Sequence, residues 1–189
     1  MSEVIVIARL RVMATDLQLA KYREQLEQLE PNRRGLIGFS FWRSLEPDGG
    51  IMQIMRYQDQ KVADEALEAL IQSKPGPLVQ SVTIDPPNVD MMVPQKIHGK
   101  TPESVPIGGF VSFAQRYADP GLQEDLERDT EEVLAELAYI PGYLGSIWGN
   151  DLSLSEEIIS MAFWADQDSL MSSIPTSHKV RIAKYQKAV

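Results

Sequence analysis

The chain has 189 residues, a formal net charge of -9 and no cysteine, with 43% hydrophobic residues. That length allows one large domain or two small ones, and the acidic balance disfavours a nucleic-acid backbone or an anionic membrane surface as partner. Without cysteine there is no disulfide and no thiolate metal site, which fits a reducing compartment.

The N-terminal "MSEVIVIARLRV" holds a short apolar run broken by Arg9 and Arg11. It lacks the long apolar core and the cleavage site of a signal peptide, and no run approaches the roughly 18 apolar residues of a spanning helix. A soluble, cytoplasmic protein is expected. Residues 4–12 are rich in β-branched side chains and predict a strand. Thr15 and Gln18 have the spacing of a capping box and open a helix with Leu19, Leu26 and Leu29 on its apolar side. Pro31 and "NRRG" stop it. Residues 36–45 and 51–57 read as two strands joined by the turn "EPDGG", and 60–73 as a second helix.

The second half repeats this order. Residues 110–117 predict a strand, Asp119 and Pro120 an N-cap and first helical position, and 122–137 a helix that "PG" ends. Residues 143–149 and 157–164 form the next hairpin, and "QDSLMSSI" and "SHKVRIAKY" predict helix. The second half then ends at Val189, with no strand expected to follow that helix. An offset of 107 positions pairs Gly35 with Gly142, Arg9 with Arg116, Gly38 with Gly145 and Ile51 with Ile158. It also aligns "YQDQ" with "WADQ", so that Tyr57 falls on Trp164 and Asp59 on Asp166. The plain reading of the shared Asp-Gln is a helix start, where a carboxylate accepts from free backbone N–H groups.

Seven of the 12 prolines lie within 75–106, which marks a connector. "VQSVTI" (79–84) inside it reads as a further strand of the first repeat. The expected domains are a first ferredoxin-like repeat over 1–93, a linker over 94–106 and a second repeat over 107–189. The expected fold is α+β: two β-α-β-β-α repeats closing face to face as an intramolecular pseudo-dimeric barrel.

"VIARLRV" on the first strand, "GLIGF" and "GYLGS" opening the second, "FWADQDSL" closing the third and "TSHKVRIAKY" at 176–185 resemble the antibiotic biosynthesis monooxygenase-like family of the dimeric α+β barrel superfamily, here as a tandem fusion. The resemblance covers both halves but not the linker. It implies a monooxygenase-like oxidoreductase without cofactor, acting on a small aromatic or quinol compound. The alternatives are a non-enzymatic protein that binds a small apolar ligand and a barrel filled by its own side chains, Met52, Met55 and Met161 among them. Either a monomeric pseudo-dimer or a homodimer is compatible.

Cofactor-free members of that family use a third-strand Trp and an Asn four positions before it. Trp164 matches the Trp. Ser160 holds the Asn position, and Gln53 and Tyr57 are the first-repeat counterparts. Strand alternation puts Ser160, Ala162 and Trp164 on one face, expected to line the barrel interior, and Ile159, Met161 and Phe163 on the other, expected to pack against helices. His178 is the candidate base toward a phenolic substrate. Gln115 is the candidate for orienting a substrate oxygen, and Trp148, like Trp42, is expected to pack or to contact substrate at the mouth. The plainer readings are a core aromatic for Trp164, a solvent-facing or capping side chain for His178 and a rim residue for Gln115. His98, in the linker, is expected to be exposed. Haem-degrading relatives use three residues that fall on Gln115, Ser173 and Ala183, which argues against that chemistry. No ligand spacing for a metal is present.

Overall fold

In "VIVIARL", β-branched residues with no turn signal make β1 (Val4–Leu10), buried along nearly its whole length. The computed structural model describes residues 2–11, 15–46, 50–72, 87–173 and 182–188. Its eight strands are ordered β1-β3-β2-β8-β5-β7-β6-β4 in a closed barrel. Contacts divide the chain into Met1–Met91 with Ala188–Val189, and Met92–Lys187. No helix among the described residues is long and apolar enough to cross a membrane.

In the first unit, α1 (Asp16–Glu27) opens on the expected capping box: Gln18 N donates to Thr15 Oγ1, and Gln18 Oε1 accepts from Thr15 N. Leu19, Tyr22 and Leu26, spaced for one helical face, are its buried residues. Pro31 and "NRRG" do not simply stop the chain. They form a short second helix, α2 (Glu30–Gly35), because proline is compatible with a first helical turn. Strand β2 (Leu36–Ser44) pairs with β3 (Ile51–Tyr57), which also pairs with β1, all antiparallel. Helix α3 (Gln60–Gln72) starts where Asp59 Oδ1 accepts from Val62 N at 2.9 Å.

Strand β4 (Asn88–Gly99) runs through much of the segment whose prolines marked a connector. Pro94 sits beside a bulge, where the register against β6 shifts between Pro94 and Lys96, the kind of place in a sheet that tolerates proline. "VQSVTI" lies outside the described residues.

In the second unit a 3-10 turn (Pro102–Ser104) precedes β5 (Phe110–Tyr117). Helix α4 (Gln123–Leu137) starts later than expected, and its N-cap is Leu122, not Asp119. Asp119 instead closes a turn, accepting from Leu122 N at 2.9 Å, and Gly121 takes the positive φ that this turn requires. Strand β6 (Tyr143–Asp151) pairs with β4 and with β7 (Glu157–Trp164), which pairs with β5. Helix α5 (Gln167–Ser173) follows. The expected helix at the C-terminus is instead a strand over its described part: β8 (Ala183–Lys187) lies along β5. Burial alternates there, with Tyr185 and Lys187 buried and Gln186 exposed, and β5 had an edge whose backbone groups needed partners. Ala183 is therefore a strand residue.

Candidate functional site

Strand β6 opens with a bulge. Tyr143 lies opposite Trp164, but the next pairing along the strand is Gly145 with Phe163. The extra residue, Leu144, brings Tyr143 and Ser146 onto one face although their spacing would otherwise oppose them. Gly145 is required there, since a Cβ would lie 2.4 Å from Lys100 N and 2.6 Å from His98 O. The register then sets out two rows across three strands: Lys96, Trp148 and Ser160, and beside them His98, Ser146 and Ala162.

Helix α4 covers this face. Leu134 and Leu137 of α4 and Leu170 of α5 cluster with Trp148, Ile158, Ala162 and Trp164. The Trp164 face of β7 thus turns toward the helices, and Ile159, Met161 and Phe163 lie on the opposite face, the reverse of the expected arrangement. β7 is buried on both faces, with Ser160 its one half-buried residue, so alternation alone gives no polarity by which to choose between them. Ala135 and Ala138 of α4 and its C-terminal flank leave a cleft of about 350 Å³ against β4 and β6. Its floor is Lys96, His98, Tyr143, Ser146 and Trp148.

The cleft is mostly apolar with a few convergent polar groups, as small-molecule sites are. Tyr143 Oη donates to Ser146 Oγ at 2.7 Å, and His98 Nδ1 lies 3.4 Å from the same hydroxyl. With that proton directed at Ser146, the His98 tautomer carrying hydrogen on Nδ1 completes the relay. Burial raises the Tyr143 pKa, and the Ser146 hydrogen bond partly offsets this. Lys96 and Glu131 form an ion pair at the rim, both about half exposed. Behind Tyr143, the Trp164 ring meets it edge-on with centroids 5.8 Å apart. Trp164 is fully buried, and its Nε1 donates to Ser112 Oγ at 3.1 Å. Trp148 Nε1 is buried without a hydrogen-bond partner among the described residues.

Of the residues singled out in the sequence, Trp164, Ser160 and Trp148 share this face. Gln115 does not: it pairs with Ile159 on the opposite face, and its Nε2 donates to the buried Glu157 Oε1 at 2.6 Å. Gln53 and Tyr57 belong to the first unit. Gln53 Nε2 lies 2.9 Å from Met55 Sδ, and Tyr57 Oη donates to Asn32 Oδ1 at 2.8 Å. Burial raises the Tyr57 pKa far above its ordinary value. These two form a satisfied polar core beside Phe39, Phe41 and Met55, all buried. Met52 and Met161 are buried as well. Ser173 Oγ donates to Leu170 O at 2.6 Å. His178 lies outside the described residues. His98 is exposed as expected, but on β4 rather than in a connector. The sequence reading passed over Tyr143, Ser146, Lys96 and Glu131. Two signals pointed to the first three: the paired glycines of "GYLGS", which mark a bulge, and the polar-apolar-polar run "KIH", which marks a strand with one polar face.

No family model matches the sequence, and no curated protein does. Solved structures match along the whole chain. A candidate monooxygenase from Fusobacterium nucleatum subsp. nucleatum covers 100% of this chain and 93% of its own at 11% identity, with a TM-score of 0.72. An anthrone oxidase-like protein covers 99% and 92% at 11% identity and a TM-score of 0.69. A chlorite dismutase variant from Candidatus Nitrospira defluvii covers 99% and 92% at 8% identity and a TM-score of 0.64. At such identities the likeness is one of fold. Its extent, together with the closed eight-stranded barrel, shows that the chain has the fold of the dimeric α+β barrel superfamily.

Proposed function

We propose that this protein is a monooxygenase-like enzyme acting on a small aromatic compound with a phenolic or quinol oxygen, held in the cleft between α4 and strands β4 and β6. The observation that carries this reading is the combination of an apolar cleft of about 350 Å³ with the His98–Tyr143–Ser146 relay on its floor. Solved structures of the same fold include proteins described as monooxygenase-like or anthrone oxidase-like, which supports oxygen chemistry as the reaction class.

In this reading the substrate loses a proton to a base and then supplies the electrons that reduce O₂, with no cofactor. For an anthrone-type ring, one oxygen atom ends as the new carbonyl and the other leaves as water with the two hydrogens of the oxidised methylene. Histidine is the side chain suited to that proton transfer near neutral pH. His98 occupies the cleft, and His178 is the second candidate. Trp148 and Tyr143 supply flat apolar surface for the ring.

The two units are also read as two copies of one ferredoxin-like pattern. Both β-hairpins shift register at positions that differ by the same offset as the sequence repeat: Leu36/Gly38 in one, Tyr143/Gly145 in the other. The copies differ in what fills the layer between helix and sheet. Phe39 and Met55 at two positions of the first copy are replaced by Ser146 and Ala162 in the second, and it is the second that has the cleft.

The test is O₂ uptake and quinone formation from anthrone and 1,4-dihydroxynaphthalene, corrected for autoxidation. Acceleration by the wild type that His98→Ala reduces supports the reading. Uptake at the autoxidation rate with both compounds overturns catalysis. Measurable binding of either compound would then leave a ligand-binding protein, a reading favoured by Ser160 standing where an Asn would be expected.

A further inference from the structure

Tyr139 is out of keeping with the chain around it. At 90% exposure it is the most exposed large hydrophobic side chain among the described residues. Its backbone is nonetheless fixed. Helix α4 ends at Leu137, Tyr139 N donates to Glu136 O at 3.1 Å, Ile140 N to Leu137 O at 3.0 Å and Tyr143 N to Ile140 O at 3.1 Å. Leu137 is buried, and Ile140 packs against the same apolar cluster. The turn between α4 and β6 is thus held on both sides of Tyr139, whose side chain lines the cleft together with Ala135 and Ala138. From the strands, two more rings line the cleft. They are His98 and Tyr143, with centroids 6.1 Å apart and an interplanar angle of 33°. The Ser146 hydroxyl and the Trp164 ring hold Tyr143 in place.

From this we infer that Tyr139 is a specificity residue of the cleft: it stacks on a flat aromatic ligand from the α4 side while His98 and Tyr143 meet the ligand from the strands, so the cleft distinguishes an aromatic ring system from a saturated one of the same size. The inference rests on the reading of the cleft as a ligand site. A bound ring covers apolar surface of Tyr139 that the empty protein leaves in water, and removing that surface from water favours binding. Aromatic pairs gain a further amount beyond this burial when they lie offset or edge-on, a gain that a puckered saturated ring does not share. Ordering the side chain costs little, because a tyrosine on a fixed backbone has only its two side-chain torsions to lose. The volume of about 350 Å³ lies at the low end for ligand pockets, which suits two or three fused rings. Tyr117 gives the contrast: it is 64% exposed on β5 but does not line the cleft.

A matched pair of probes tests this. 2-Naphthol and decahydro-2-naphthol share a carbon skeleton and a hydroxyl group and differ in whether the rings are flat. Binding to the full chain is measured by calorimetry, and the naphthol protons are followed by ¹H NMR. The wild type should bind 2-naphthol about tenfold more tightly than its saturated counterpart, the upper range for an added ring stack. Tyr139→Leu keeps apolar bulk without the ring. It should reduce the preference to about twofold and lessen the upfield movement of the naphthol signals on binding. Tyr139→Phe and the control Tyr117→Leu should keep both. Substitutions at positions this exposed leave the fold intact, which far-UV circular dichroism checks. Equal binding of the two probes by the wild type, or a preference undiminished in Tyr139→Leu, overturns the role of Tyr139 while leaving the cleft as a ligand site. Binding of neither probe overturns both.

Discussion

Trp164 and Ser112 are joined across β7 and β5 by an indole N–H to hydroxyl hydrogen bond of 3.1 Å, and Ser112 Oγ in turn donates to Ala162 O at 3.3 Å. The serine thus fixes the ring that backs Tyr143. Ser112→Ala leaves a fully buried indole N–H unsatisfied, which should destabilise the protein by about 1–3 kcal/mol. Urea unfolding checks this. A change under about 0.3 kcal/mol would show that the bond contributes nothing to stability.

Much of the architecture was legible because it depends on local pattern. β3, β5 and β7 have the bounds that apolar runs and turn residues gave, 51–57, 110–117 and 157–164. Thr15 and Asp59 stand where helix starts were expected. Two of the misses share a cause, which is that tertiary pairing overrode a local signal. Pro94 reads as a breaker until a bulge accommodates it, and "AKY" (183–185) reads as helix until β5 offers an edge. The face of β7 was not legible, since both of its sides are buried. The cleft was harder to read: it depends on Leu144 shifting Tyr143 onto the face of Ser146, a reversal that strand alternation does not give and that only the glycines of "GYLGS" signal.

The wall of the cleft offers a way to close it. Ala135 lines it from α4, and leucine is a good helix former, so Ala135→Leu adds bulk without disturbing the helix. Affinity for 1,4-dihydroxynaphthalene should fall at least tenfold while the Tm stays within a few degrees of the wild type. Unchanged affinity would place the ligand elsewhere.

Lys187 is a buried cation that three backbone carbonyls hold. Its Nζ donates to Pro102 O at 3.1 Å, Glu103 O at 2.9 Å and Val105 O at 2.6 Å, tying β8 to the 3-10 turn. Lys187→Met keeps the length of the chain but strands three acceptors, and should lower stability by about 2–4 kcal/mol. A urea midpoint equal to that of the wild type would refute this.

Asp166 Oδ1 accepts from Ser169 N and Ser169 Oγ, both at 2.8 Å, and these bonds hold its pKa below the ordinary carboxylate value. A depressed folded-state pKa stabilises the fold above the unfolded value, and that contribution is lost as pH falls through the folded value. Stability should therefore decline on acidification below the ordinary carboxylate range, and Asp166→Asn should flatten that part of the profile. An Asp166 carboxyl that titrates by NMR at or above its ordinary value would contradict this.

Tyr143→Phe separates the relay from the packing. The ring keeps its edge-on contact with Trp164, while the hydroxyl that occupies Ser146 is removed. Ser146 then stands toward Trp148 as Ser40 stands toward Trp42, at the same spacing in sequence and free to accept. The lost bond and the gained bond should nearly cancel, so stability should change by less than about 1 kcal/mol. The Trp148 N–H signal in a ¹H–¹⁵N NMR spectrum should move downfield. A signal that stays in place would mean that the Tyr143 hydroxyl does not keep Ser146 from Trp148, and that the unpaired indole is set by backbone geometry alone.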